Sequence, residues 1–78
     1  MHKIEKLMCD AIAQRKTWSS GNTFVYPIDD VNVGVYLWGN HIADVNTNTG
    51  FVMVNNNTLA KWPTRTTKSR LRALGASV

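Results

Sequence analysis

VNVGVYLWGNHIADVN, residues 31–46, decides the fold. Val31 to Trp38 is dense in β-branched and aromatic residues, the strongest strand signal in the chain. Gly39-Asn40 reads as a two-residue hairpin loop of type I′ or II′, with the return strand running from His41 to Asn46. A loop at that position pairs Trp38 with His41, Leu37 with Ile42 and Tyr36 with Ala43. His41 and Asp44 lie three apart on the return strand, so strand alternation predicts opposite faces for them. His41 accordingly reads as a solvated or cross-strand residue rather than a ligand or general base.

Further strands flank this hairpin. Thr23 to Tyr26 forms a short strand stopped by Pro27, and Ile28-Asp29-Asp30 turns the chain. Asn46 to Gly50 is a second turn, and Phe51 to Val54 a last strand. Before the strands, residues 3–16 are amphipathic: Ile4, Leu7, Met8, Ala11 and Ile12 fall within about 140° of helical arc. Ser19-Ser20-Gly21-Asn22 breaks that helix. After the strands, Asn57 or Thr58 can cap one short turn that Trp62-Pro63 ends. A last helix at 66–74 has Thr66 or Thr67 as its cap and Gly75 as its C-terminal stop. The expected fold class is α+β: an N-terminal helix, a three- to four-stranded antiparallel sheet and a short C-terminal helix, in one small domain spanning 1–78. Both helices are expected on one sheet face, leaving Trp, Tyr and His on the other.

Composition narrows the function classes. The 78 residues hold one cysteine, so no internal disulfide forms, as fits a reducing compartment. Cys9 falls off the apolar stripe without a His or CxxC partner, which makes it an incidental flank residue. No apolar run approaches the roughly 18 residues of a membrane span, and charges interrupt the N-terminus as no signal peptide allows. So small a chain gains by hiding apolar surface, which makes a homodimer a reasonable expectation. His2 and His41 form no zinc spacing with Cys9, Asp29-Asp30 reads as turn chemistry, and no phosphate-binding glycine loop or nucleophile motif occurs. The expectation is a non-enzymatic protein with no catalytic residue, cofactor or metal.

The charge is uneven. Residues 1–44 carry four basic residues against five acids, net −1; residues 45–78 carry Lys61, Arg65, Lys68, Arg70 and Arg72 and no acid, net +5. The C-terminal end is therefore suited to an anionic partner. On the 66–74 helix, Thr67, Leu71 and Leu74 form the core-facing stripe, with Lys68 and Arg72 opposite and Ser69 and Arg70 at the flanks. Hydroxyls, Lys and Arg near a helix N-terminus are groups that contact phosphates. Trp62, if exposed, could stack on a base. The predicted nucleic-acid site is thus Arg65, Thr66, Thr67, Lys68, Ser69, Arg70 and Arg72 with Trp62, for DNA or RNA. In the bland reading the same threonines are caps, Trp62 is a core lid and the basic helix is a solvated face. The alternative function is an inhibitor or modulator of a host protein, with Tyr36, Trp38 and His41 as contacts.

Three stretches carry a resemblance: Gly21-Asn22-Thr23 with Val25; the hairpin from Val35 to Ala43; and Trp62-Pro63-Thr64-Arg65-Thr66-Thr67-Lys68-Ser69-Arg70-Leu71-Arg72-Ala73-Leu74. In these the chain resembles a family of short bacteriophage-encoded proteins of uncharacterised function. The resemblance implies a phage accessory protein acting in the host cytoplasm, and supplies no catalytic residues.

Overall fold

The computed structural model describes residues 2–78. Helix α1 spans Lys3–Gln14. Five strands follow: β1 (Trp18–Ser20), β2 (Thr23–Pro27), β3 (Asn32–Leu37), β4 (Asn40–Asn46) and β5 (Val52–Val54). They form one antiparallel meander in chain order. Helices α2 (Asn56–Lys61) and α3 (Arg65–Leu74) close the chain. The architecture is α+β as expected, with five strands rather than three or four. The extra strand is β1, formed from residues read as a helix breaker: Ser19 pairs with Phe24 across a tight Gly21-Asn22 turn.

Alternation along the strands builds the core. Thr23, Val25, Val33, Val35, Leu37 and Val45 all turn inward and are buried. Met8, Ala11 and Ile12 of α1 and Leu71 of α3 join them in one apolar cluster. Phe24, Tyr26 and Met53 alternate out of it to the opposite face of the sheet and are exposed.

The hairpin register differs from expectation. Leu37 pairs with Asn40 and Tyr36 with His41, so the loop is Trp38-Gly39, not Gly39-Asn40. Both loop residues have positive φ (51° and 79°), which defines a type I′ turn. Beyond it the register shifts between Val35 and Tyr36, so that Val35 faces Ala43 and Ile42 is the extra residue of a β-bulge. Ile42 and Ala43 are consequently both buried, and the Ile42 carbonyl accepts the Asn55 N–H at 2.9 Å. The bulge lets the chain keep two adjacent apolar residues in the core and still return its later residues to the alternation.

The helices also rotate from the expected stripes. On α1 the buried set is Glu5, Met8, Ala11 and Ile12, while Leu7 is 41% exposed. On α3 it is Thr67, Arg70 and Leu71. Both helices turn a charged residue inward because the two charges meet, as described below. Thr64, rather than Thr66 or Thr67, caps α3: its Oγ1 accepts the Thr67 N–H at 3.1 Å. Gly75 ends the helix at φ 104°, the left-handed stop that the sequence predicts. Asp29 Oδ1 accepts the N–H groups of Val31 and Asn32 at 2.8 and 2.7 Å, so this acid serves the β2–β3 turn. Those bonds hold its carboxyl below the ordinary range.

Candidate functional site

Glu5 and Arg70 sit 65 residues apart in the chain and meet at the seam of α1 and α3. Arg70 Nη1 donates to Glu5 Oε2 at 2.7 Å, and Arg70 Nε donates to Thr23 Oγ1 on β2 at 3.1 Å. Ser69 Oγ donates to the same Glu5 oxygen at 2.5 Å. Arg70 is 7% exposed and Glu5 3%. Burial alone raises the Glu5 pKa, but the Ser69 hydroxyl and the Arg70 guanidinium outweigh it and hold the carboxyl below its ordinary 4.5. Thr67 is buried beside this seam, its hydroxyl 2.9 Å from that of Thr64. Arg70 therefore does not lie at the edge of a solvated basic face. It ties both helices to the sheet.

The remaining terminal nitrogen of Arg70, Nη2, has no hydrogen-bond partner among the described residues. No fully buried polar side-chain atom among the described residues lacks one, so Nη2 keeps some access to the surface. Arg70 lines a cleft of about 420 Å³ between the first turns of α1 and α3. The walls are Lys3 and Ile4 on one side and Arg65 and Thr66 on the other, with His2, Asn22, Ser69 and Arg70 completing the lining.

Local helix chemistry explains why this cleft is electropositive. The first N–H groups of a helix have no carbonyl one turn earlier to bond. His2 makes no side-chain cap to α1, and Lys3 and Ile4 have N–H groups without partners among the described residues. On α3, Thr64 satisfies Thr67 but leaves the N–H groups of Arg65 and Thr66 without partners there. Two positive helix ends thus meet at one cleft. Lys3 and Arg65 are exposed, and neither forms an ion pair among the described residues. An adjoining hollow of about 480 Å³ shares His2 and Ser69 and continues past Glu5 to Arg72 and Ala73. There Arg72 Nε donates to the Val78 carbonyl at 2.7 Å.

Of the residues expected to bind nucleic acid, Arg65, Thr66, Ser69, Arg70 and Arg72 line this groove. Thr67 is in the core, and Lys68 and Trp62 line neither hollow. Trp62 is 51% exposed, so it is no core lid. Sequence reasoning missed Lys3, His2 and Asn22, which come from the opposite end of the chain. The available signal was basic residues flanking an N-terminal helix without a capping Ser, Thr, Asp or Asn.

The outer sheet face is a second surface. Tyr36 and His41 pair across β3 and β4 with ring centroids 4.9 Å apart, and Phe24 lies 5.8 Å from Tyr36 and 6.2 Å from Tyr26. His41 Nε2 donates to Asp44 Oδ1 at 2.6 Å. This corrects the expectation of opposite faces: the bulge at Ile42 inserts an extra residue between the two, so they alternate to the same side. Trp38 does not join the aromatic row but sits at the hairpin tip, 57% exposed. Among the described residues no group of three or more His, Cys, Asp or Glu could hold a metal ion, and no helix is long and apolar enough to cross a membrane.

Fold and surfaces together define a small α+β domain with an electropositive groove at the helix starts and an aromatic sheet face behind it. The chain belongs to the Kyanoviridae Gp96 protein family, a phage protein family whose model matches residues 1–78. No curated protein and no solved structure matches it.

Proposed function

We propose that this phage protein is a non-enzymatic accessory factor that binds the phosphate backbone of nucleic acid in the groove between α1 and α3. The observation that supports this is the convergence of two helix starts that keep free N–H groups, α1 with no side-chain cap and α3 with only its Thr67 N–H capped, with Lys3, Arg65 and Arg70. Backbone N–H groups, hydroxyls and cations are the donors that phosphate oxygens take. Glu5 cancels one charge in the seam but leaves Lys3 and Arg65 free, so the groove keeps a positive balance. Both cations project from first turns, which places them beside the free N–H groups rather than along a separate face.

The test is binding to generic DNA and RNA at about 50 and 200 mM salt. Affinity should fall steeply with salt, with a slope of about −0.7 to −0.9 per phosphate neutralised. Lys3→Ala and Arg65→Ala should each weaken binding and flatten that slope. Absence of binding at the lower salt sinks the reading.

The outer face supports a second reading, a surface for a host protein. Its support is the row Phe24, Tyr26, Tyr36 and His41, because exposed aromatics are typical of interface hot spots. Retrieval of one stoichiometric host protein that Tyr36→Ala releases, with Lys3→Ala inert, would favour this reading over the first.

A further inference from the structure

We propose that the nucleic acid taken by this groove is single-stranded, with the Trp38 indole stacking on a base next to the phosphate held in the cleft. This rests on the backbone-binding reading above and adds the class of strand.

Trp38 is the starting point because folding does not account for it. It occupies the first position of a type I′ turn at φ 51°. Asn, Asp or Gly is the usual residue there, because a bulky side chain in the left-handed region is strained. Nor is its ring hidden: Trp38 is 57% exposed and lies outside the apolar cluster. Strain at an exposed aromatic residue points to a contact outside the chain.

The position of Trp38 says what the contact is. Its main-chain N–H donates to the Asn22 carbonyl at 2.8 Å, and Asn22 is itself part of the cleft lining. That main-chain bond holds the hairpin tip that carries Trp38 beside a residue of the cleft wall. A cationic groove beside an aromatic ring is the arrangement by which proteins hold single strands, with phosphates in the groove and a base on the ring. In a duplex the bases are already stacked on each other, and the ring would have nothing to take. The inward side of α3 is also committed: Thr67 and Leu71 pack into the protein, so only its first turn, its outer edge and the part of Arg70 that lines the cleft reach a ligand.

The experiment is fluorescence anisotropy with labelled homopolymer single strands of about a dozen nucleotides, as DNA and as RNA, against a mixed-sequence duplex of equal length. The proteins compared are the wild type, Trp38→Asn, Trp38→Phe and Arg65→Ala. Asparagine suits the turn better than tryptophan, so loss of binding in Trp38→Asn does not come from misfolding. Single strands of at least one sugar should bind about tenfold or more tighter than duplex. Trp38→Asn should weaken single-strand binding roughly 5- to 150-fold, the range of one lost base stack, with an unchanged salt slope. Trp38→Phe should keep most of the affinity, and Arg65→Ala should flatten the slope by about 0.7. Duplex binding equal to single-strand binding, or indifference to Trp38→Asn, overturns the single-strand inference and leaves the backbone reading standing. Failure of every nucleic acid to bind overturns both and favours a protein ligand.

Discussion

Replacing Arg70 with methionine should destabilise the protein by about 3–5 kcal/mol, the usual consequence of stranding one member of a buried ion pair. Methionine keeps the unbranched apolar stem of the side chain but not the guanidinium, and leaves Glu5, 3% exposed, with Ser69 as its remaining strong donor. It also removes the link from α3 to Thr23 on β2. A chain of 78 residues has a total stability of roughly 4–12 kcal/mol, so the loss is a quarter or more of the whole. At about 4–8 °C per kcal/mol the melting temperature should drop by at least about 12 °C. The assay is urea and thermal unfolding followed by circular dichroism, in a double-mutant cycle with Glu5→Leu. The double variant should recover most of the loss, because two apolar side chains fill the seam without a buried charge. The pH dependence has a definite sign. The Glu5 carboxyl lies below its ordinary 4.5 in the folded protein, so the folded state binds fewer protons than the unfolded one near that pH. Its contribution is complete above that value and fades as pH falls through the folded pKa. The penalty of Arg70→Met should therefore shrink as the pH falls below 4.5 and Glu5 protonates. An Arg70→Met protein within about 0.5 kcal/mol of wild type, or a penalty unchanged by acid, refutes this account of the seam.

Three further outcomes are expected. Trp38→Asn should raise stability by roughly 1 kcal/mol by relieving a left-handed tryptophan, and a lower melting temperature would remove strain from the case for Trp38. Gly34→Ala should cost about 0.5–1.5 kcal/mol, because the new Cβ would lie 3.1 Å from Tyr36 Cε1 and 3.2 Å from Ile28 Cδ1 and push Tyr36 off His41. The aromatic circular dichroism should change with it; an unchanged spectrum counts against the packing described. Cys9 should alkylate slowly in the folded protein at neutral pH, since burial, then the charges of Asp10 and Glu5, push its thiol pKa up, and its S–H reaches the Ala73 carbonyl at 3.6 Å. A rate equal to that of the unfolded chain contradicts this.

What residues 31–46 determined by themselves was the hairpin, and local patterning around them determined the order of elements and the Gly75 stop. These are short-range properties: β-branched runs, turn residues and caps act within a few positions of themselves. The tertiary structure decided the rest. Whether Trp38-Gly39 or Gly39-Asn40 turns the hairpin depends on which register buries Ile42 and Ala43 together, and the resulting bulge is what brings His41 to Asp44. Glu5 has no place in the apolar stripe of its helix and Arg70 reads as a flank residue of the basic face, and only the approach of α1 to α3 makes burial of both favourable. The same approach gathers Lys3 and Arg65 from opposite ends of the chain onto one groove. Local patterning records the charge of each helix, but the facing of two helix starts is a packing outcome, set by how the apolar sides of α1 and α3 settle on the sheet.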